Sequence, residues 1–215
     1  MNSLIKQANE LLKNHGFEYA FCGGWAIDLF IGEETRKHSD IDIHAYWQDR
    51  NTIILYMQSL GFEVYEMLGG GMAHHITDID KQIQSKRNIF CCKPDCELVC
   101  LSSEDKDGIC GIHFQHIGQT KLNFLEFLFN NKSERALLYA RNHEIEQPLT
   151  EAFVYSDSIP YLSPEFCLLY KSTDTERDGY QNDYSMAMAK MNEHQKQWLM
   201  NALDTMYPQG HKWRL

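Results

Sequence analysis

Two aspartates, Asp40 and Asp42, stand one residue apart in the run "SDIDIHAY". Its strict alternation predicts a strand, and residues two apart on a strand share a face, so both carboxylates project the same way. Two like charges held so close repel unless a cation lies between or beside them. Hard oxygen donors of this kind suit Mg²⁺, which commonly reaches a protein through one or two carboxylates plus the phosphates of a substrate. Upstream, Gly23 and Gly24 form a turn without side chains, whose N–H groups can approach a phosphate closely where the next helix begins. Arg36, Lys37 and His38 lead directly into the aspartates and supply positive charge for a triphosphate. Singly, a glycine pair marks a turn, a D-x-D pair a solvated strand face and a basic triplet a surface patch. Their order within one strand–turn–helix–loop–strand unit points to nucleotide chemistry.

The elements that must position these residues follow from local pattern. "MNSLIKQANELLKNHGF" reads as an amphipathic helix with Leu4, Ile5, Ala8, Leu11 and Leu12 on one face. "FEYAFCGG" reads as a short buried strand ending in the glycine turn, and "WAIDLFIG" as a brief helix closed by Gly32. "DRNTIILYMQSLGF" is a helix with Ile53, Ile54, Met57 and Leu60 inward and Gly61 as its stop. "EVYEML", "IFCCK", "ELVCLS", "IHFQHIG" and "KLNFLEFLF" read as strands. From Ser163, a predicted N-cap ahead of Pro164, the pattern is helical to the end, with Trp198, Leu199, Ala202 and Leu203 as the last apolar stripe. The expected fold class is α/β (α+β): a mixed sheet with flanking helices over residues 1–155, then a small helical region over 156–215.

The chain has 215 residues, 43% of them hydrophobic and 23% charged, as in an ordinary globular protein. A net charge of -10 argues against a long nucleic acid as partner. The N-terminal segment lacks the apolar core of a signal peptide and no later stretch is apolar enough to span a bilayer, so a cytoplasmic location is expected. Seven cysteines, an odd number, argue for free thiols rather than a disulfide framework. Five fall between Cys91 and Cys110, with His113 and His116 beyond. Cys92, Cys96 and Cys100 lack a second pair of matching spacing, which favours cysteines packed as small apolar residues over a zinc site.

The stretch "GGWAIDLFIGEETRKHSDIDI" resembles the nucleotidyltransferase superfamily that includes DNA polymerase β, and within it the aminoglycoside 2''-adenylyltransferase and lincosamide nucleotidyltransferase group. That group carries a Gly-Gly-Trp helix, a Leu/Ile-Gly turn, a Thr-Arg-x-His segment and Asp-x-Asp. "IPYLSPEFCLLYKSTD" is similar, more loosely, to a Pro-Tyr-Leu-x-Pro-Glu segment of such enzymes, whereas Glu63 to Lys121 matches no pattern of the group. The resemblance implies attack of a hydroxyl on the α-phosphate of a nucleoside triphosphate, with ATP the expected donor and pyrophosphate leaving. It implies Mg²⁺ held by Asp40 and Asp42, and a triphosphate bound by Gly23, Gly24, Arg36 and His38. The implied acceptor is a small polar molecule such as an aminoglycoside or lincosamide antibiotic, and the implied role is antibiotic resistance. A homodimer is compatible with it.

A third carboxylate, as metal ligand or as base, belongs to the same pattern. Glu126 in "KLNFLEFLF" is the first candidate, because a lone acid among apolar neighbours needs a partner or a metal. Glu97 is the reserve. Lys171 either aims at phosphates, as the resemblance implies, or simply ends its helix toward solvent. Asp183 either belongs to the family's Asp-Phe segment or caps a helix. His74 and His75, after "GGGMA", either face the acceptor or mark a loop beside a strand, and the loop is the favoured reading. Two other readings stay open: an enzyme of this fold acting on a protein or RNA, and a non-catalytic nucleotide-binding module.

Overall fold

The computed structural model describes residues 2–13, 15–115 and 117–214, so His116 lies outside the described residues. In chain order the elements are α1 (Ser3–Leu12), β1 (Tyr19–Phe21), α2 (Gly23–Ile31), β2 (Asp42–Tyr46), α3 (Arg50–Ser59), β3 (Glu63–Gly69), β4 (Met72–His75), β5 (Asn88–Cys92), β6 (Val99–Leu101), β7 (Ile109–Phe114) and β8 (Phe124–Lys132). They continue with β9 (Ala136–Leu138), β10 (Glu146–Pro148), α4 (Leu149–Ala152), β11 (Phe153–Ser156), β12 (Ile159–Leu162), α5 (Pro164–Lys171), α6 (Tyr180–Lys190) and α7 (Glu193–Met206). The mixed α/β class expected from the sequence is present. No helix among the described residues is long and apolar enough to cross a membrane. The chain groups into two compact units, Asn2–Tyr19 with His38–Asn130, and Ala20–Lys37 with Asn131–Leu215.

The first unit is built on strands in the order β2-β8-β5-β3-β4-β7-β6. β2 and β8 run parallel, and the remaining neighbours are antiparallel. β8 lies between β2 and β5, and Phe124, Leu125, Phe127 and Phe129, which alternate between its two faces, are all buried. α3 packs on β3 and buries Ile53, Ile54 and Met57, the face read from periodicity.

β3 folds back into β4 through Gly69, Gly70 and Gly71, each with positive φ, a backbone region that side-chain-bearing residues resist. This hairpin overturns the loop expected at His74 and His75: both lie on β4, with His74 opposite Glu66 in register. The buried Glu66 carboxylate accepts from Arg50 Nη2 at 2.9 Å, from the Ile83 and Gln84 amides at 2.6 and 2.7 Å, and meets His74 Nδ1 at 2.7 Å. Burial lowers the Arg50 pKa and the Glu66 charge works against that shift. A buried charge needs such partners, so this knot ties α3, β3, β4 and the loop before β5 together.

In the second unit β1 pairs parallel with β12, and β11 and β12 form a hairpin turning at Asp157 and Ser158, both at positive φ. β9 pairs with β10 and with the last residues of β8. Ser163 occupies the expected N-cap position of α5, yet its hydroxyl donates to Gln147 at 2.9 Å instead of capping. Gln147 in turn donates to the buried Glu165 at 2.6 Å, and Gln195 donates to the other Glu165 oxygen at 3.0 Å. α7 begins with a reciprocal capping box between Asn192 and Gln195.

Candidate functional site

In the first unit three carboxylates converge. Asp40, Asp42 and Glu126 each present an oxygen within 4.8 Å of the others, and all three side chains are half-buried. Register explains the meeting. Asp42 opens β2 and lies directly across from Glu126 in the parallel β2–β8 pair, and the Glu126 amide donates to the Ile41 carbonyl at 3.0 Å. Asp40 precedes β2 rather than lying within it, so the strand expected to carry both aspartates carries only Asp42. The Ser39 hydroxyl donates to Asp40 at 3.4 Å, and Asn88, on the neighbouring β5, donates to Glu126 Oε1 at 2.8 Å.

Three anionic groups at this spacing favour a counter-cation. Oxygens sharing one octahedral Mg²⁺ at ~2.1 Å sit about 3–4 Å apart, so a small closure of this set fits the ion, and the all-oxygen donor set matches its preference. Among the described residues no other group of three or more His, Cys, Asp or Glu side chains comes together in this way. The cysteines from Cys91 to Cys110 therefore form no zinc cluster there, and Glu97 is exposed on the turn after β5, away from the carboxylates.

In the second unit Gly23 and Gly24 open α2, with Gly23 at φ 64, a conformation that suits glycine. α2 ends at Gly32, and the loop beyond is fastened by the buried Asp28, which accepts from the Thr35 amide at 3.1 Å and the Thr35 hydroxyl at 2.6 Å. Fixing Thr35 fixes its neighbour. The Arg36 guanidinium donates to both oxygens of Asp183 at 2.9 and 3.0 Å, across 147 positions of sequence. Gly179 allows the approach, since a Cβ there would lie 2.8 Å from Arg36 Nε.

Lys171 is 4% exposed and reaches the other side of the same carboxylate, with Nζ 2.9 Å from Asp183 Oδ2 and 4.1 Å from the Tyr180 ring centre. It ends α5 buried and ion-paired rather than in solvent. Burial pushes the Asp183 carboxyl up, but Arg36 and Lys171 outweigh it and hold the pKa below the ordinary value. Asp183 sits in the first turn of α6 and closes a buried cluster of two cations and one anion, instead of capping the helix. His38 lies in the first unit and is 8% exposed.

Sequence reasoning missed Asn88, the Asp28–Thr35 tether and the joint role of Asp183. A hint lay in Asp28 itself, an acid on the otherwise apolar helix "WAIDLFI" that needs a local partner.

Residues 4–69 match a family described as aminoglycoside-2''-adenylyltransferase, which bears out the resemblance read from Gly23 to Ile43. Over 56 residues the chain is 41% identical to a 2''-aminoglycoside nucleotidyltransferase of Escherichia coli, covering 26% of this chain and 32% of that protein. The match thus spans about a third of the length of the curated relative. The crystal structure of the lincosamide antibiotic adenylyltransferase LnuA with lincomycin bound aligns over 89% of this chain and 98% of its own, with a TM-score of 0.55 at 14% identity. The structure of ANT(2'')-Ia in complex with adenylyl-2''-tobramycin aligns over 95% and 99%, with a TM-score of 0.53 at 13% identity. At these identities the likeness establishes a shared fold, that of nucleotidyltransferase-type antibiotic adenylyltransferases.

Proposed function

We propose that this chain is a Mg²⁺-dependent nucleotidyltransferase that moves the nucleotidyl group of ATP to a hydroxyl of a small polar acceptor of the aminoglycoside or lincosamide class, releasing pyrophosphate. The convergence of Asp40, Asp42 and Glu126 carries the reading. Asp40 and Asp42 hold the metal, and Glu126 completes the set as ligand or as base for the acceptor hydroxyl. Bound there, the ion supplies charge neutralisation for the oxygens of the transferring phosphoryl group. Asn88 fixes the orientation of Glu126 through its 2.8 Å bond.

The amides that open α2 at Gly23 and Gly24 take phosphate oxygens, because the first turn of a helix leaves its N–H groups without intrahelical partners. Arg36, His38 and Lys171 supply positive charge. Asp183 holds the first and last of these in fixed geometry while leaving the trio Arg36–Lys171–Asp183 with one net positive charge, which suits an anionic ligand. The acidic chain, at net charge -10, also favours a cationic acceptor such as an aminoglycoside.

The test is direct. Purified protein is incubated with labelled ATP, Mg²⁺ and a panel of aminoglycosides and lincosamides, and pyrophosphate and adenylylated product are followed. Acceptor-dependent pyrophosphate release that is abolished in Asp42→Asn and Glu126→Gln is the expected result. Release that persists in both variants, or its absence with every acceptor and metal, overturns the assignment.

A further inference from the structure

Residues 207–214, which follow α7, form neither helix nor strand, yet their aromatic side chains are built into the second unit. Trp213 is buried and stacks on Tyr184 of α6, with ring centres 4.4 Å apart and planes 13° from parallel. Its Nε1 donates to Gln181 at 2.9 Å, and the Tyr184 hydroxyl donates to the Trp213 carbonyl at 3.0 Å. A second set of bonds runs to the end of α5. The Ser172 carbonyl can only accept, so His211 Nε2 carries a proton and donates to it at 2.9 Å. His211 Nδ1 accepts from the Trp213 amide at 3.1 Å, which fixes one neutral tautomer. The Ser172 hydroxyl donates to the Leu169 carbonyl at 2.8 Å, so the Tyr207 hydroxyl donates to Ser172 Oγ at 3.0 Å. Tyr207 also stacks on His211 with ring centres 4.4 Å apart. Ser172 adjoins Lys171, and Tyr184 adjoins Asp183. The segment therefore grips both elements whose facing residues make the 2.9 Å Lys171–Asp183 pair. The loop that joins those elements, residues 173–179, is largely exposed, which leaves this grip and the packing of α5 on α6 to set their spacing.

We propose that residues 207–214 are a clasp that sets Lys171 for the triphosphate of the nucleotide, with His211 and Trp213 as positioning residues. The inference rests on the nucleotidyltransferase reading, in which Lys171 and Arg36 meet the phosphates. Neither His211 nor Trp213 touches ATP. His211 acts through Ser172 on the end of α5, and Trp213 acts through Tyr184 and Gln181 on the first two turns of α6. The bond from the Trp213 amide to His211 Nδ1 joins the two halves of the clasp, so His211 is the residue on which both depend. A cation serves a triphosphate best where its position is set in advance, because a site that must reorganise on binding loses that part of its affinity. With the clasp undone, α6 draws away from α5, and Lys171 exchanges its fixed place against Asp183 for solvent.

The experiment compares the full chain as wild type, His211→Leu and His211→Gln. Leucine removes both ring nitrogens, whereas glutamine keeps an amide donor for the Ser172 carbonyl. The first readout is limited acylation of lysines, mapped by mass spectrometry. Exposed Lys81 is the internal reference, and Lys93, bonded to the Leu60 carbonyl in the first unit, monitors general loosening. The second is the affinity for Mg²⁺ and ATP by calorimetry, with KM for ATP and kcat measured on an active acceptor. In His211→Leu, Lys171 is expected to acylate about fivefold faster relative to Lys81 while Lys93 stays unchanged, the mark of a local opening. Kd and KM for ATP rise about tenfold with kcat held within about twofold, and His211→Gln returns both toward wild type. Tyr207→Phe, which removes one bond to Ser172, moves the same quantities by less. A merely structural role lowers the fraction of active protein, so kcat falls and KM stays. That pattern overturns the proposal, as does a Lys171 no more reactive in His211→Leu than in wild type. Turnover absent with every acceptor counts against the nucleotidyltransferase reading alone, since Lys171 acylation and ATP affinity still decide the clasp. Wild-type protein that binds no ATP overturns both.

Discussion

Asp183 offers the sharpest quantitative test, because one carboxylate holds two cations within a single unit. Asp183→Asn keeps the shape and removes the charge. Asp183 is fully buried and Lys171 is 4% exposed, so the lysine is left charged, desolvated and without its counter-ion. Breaking a buried pair in this way costs about 3–5 kcal/mol. Arg36 lies on the other side with 25% of its side chain exposed, and its share is reduced because solvent compensates for the lost partner. The expected loss is therefore at the lower end, about 3 kcal/mol, or roughly 6–12 °C in Tm for a chain of this length.

Thermal and urea unfolding of wild type, Asp183→Asn, Lys171→Met and the double variant measure it. The double variant recovers part of the loss, since methionine removes the stranded charge while keeping most of the volume. The pH limb gives an independent check. The folded carboxyl titrates below its unfolded value, so the unfolded state binds more protons across that interval and stability rises with pH there. This contribution is complete above about pH 5 and is lost as pH falls through the folded pKa, so Asp183→Asn flattens the acid limb. An Asp183→Asn protein that melts within about 2 °C of wild type, or a double variant whose loss is the plain sum of the two singles, refutes the reasoning.

Three further outcomes follow from the same geometry. With chelator present, Asp42→Asn and Glu126→Gln each stabilise the protein by about 1 kcal/mol, the water-screened repulsion of two charges near 5 Å, and each abolishes the Tm rise produced by millimolar Mg²⁺; destabilisation by both variants in chelator contradicts a repulsive carboxylate cluster. Thr35→Val removes a 2.6 Å bond to the buried Asp28 carboxylate and lowers stability by about 1.5–3 kcal/mol, read from urea midpoints at unchanged slope. Arg50→Met strands the buried Glu66 and lowers stability by about 3–5 kcal/mol, and adding Glu66→Gln to that background restores part of it, as a double-mutant cycle will register.

Legibility in the sequence followed how local the controlling interaction is. The inner face of α3 and the closure of α2 at Gly32 could be read because periodicity and left-handed glycine are properties of neighbouring residues. Glu126 could be nominated from its apolar neighbours, since an isolated acid there demands a partner. The short strands β9 to β12 left no periodicity to detect, as three or four residues cannot display one. His74 read as loop because the glycine run before it looked like an end; in the structure it is a reversal that sets His74 against Glu66. Lys171 and Asp183 each carried two readings, and nothing near either residue distinguished them.

By itself the sequence nominated the residues proposed for the chemistry: the D-x-D pair, the paired glycines, the Thr-Arg-x-His segment and an acid on an apolar strand. Tertiary structure decided which of them meet. Parallel pairing of β2 with β8 sets Glu126 across from Asp42, and packing of α6 brings Asp183 to Arg36. The physical reason is that backbone geometry fixes a side chain's direction within a few residues. Its partner across a sheet or helix interface is fixed only by the register in which distant segments bury their apolar faces.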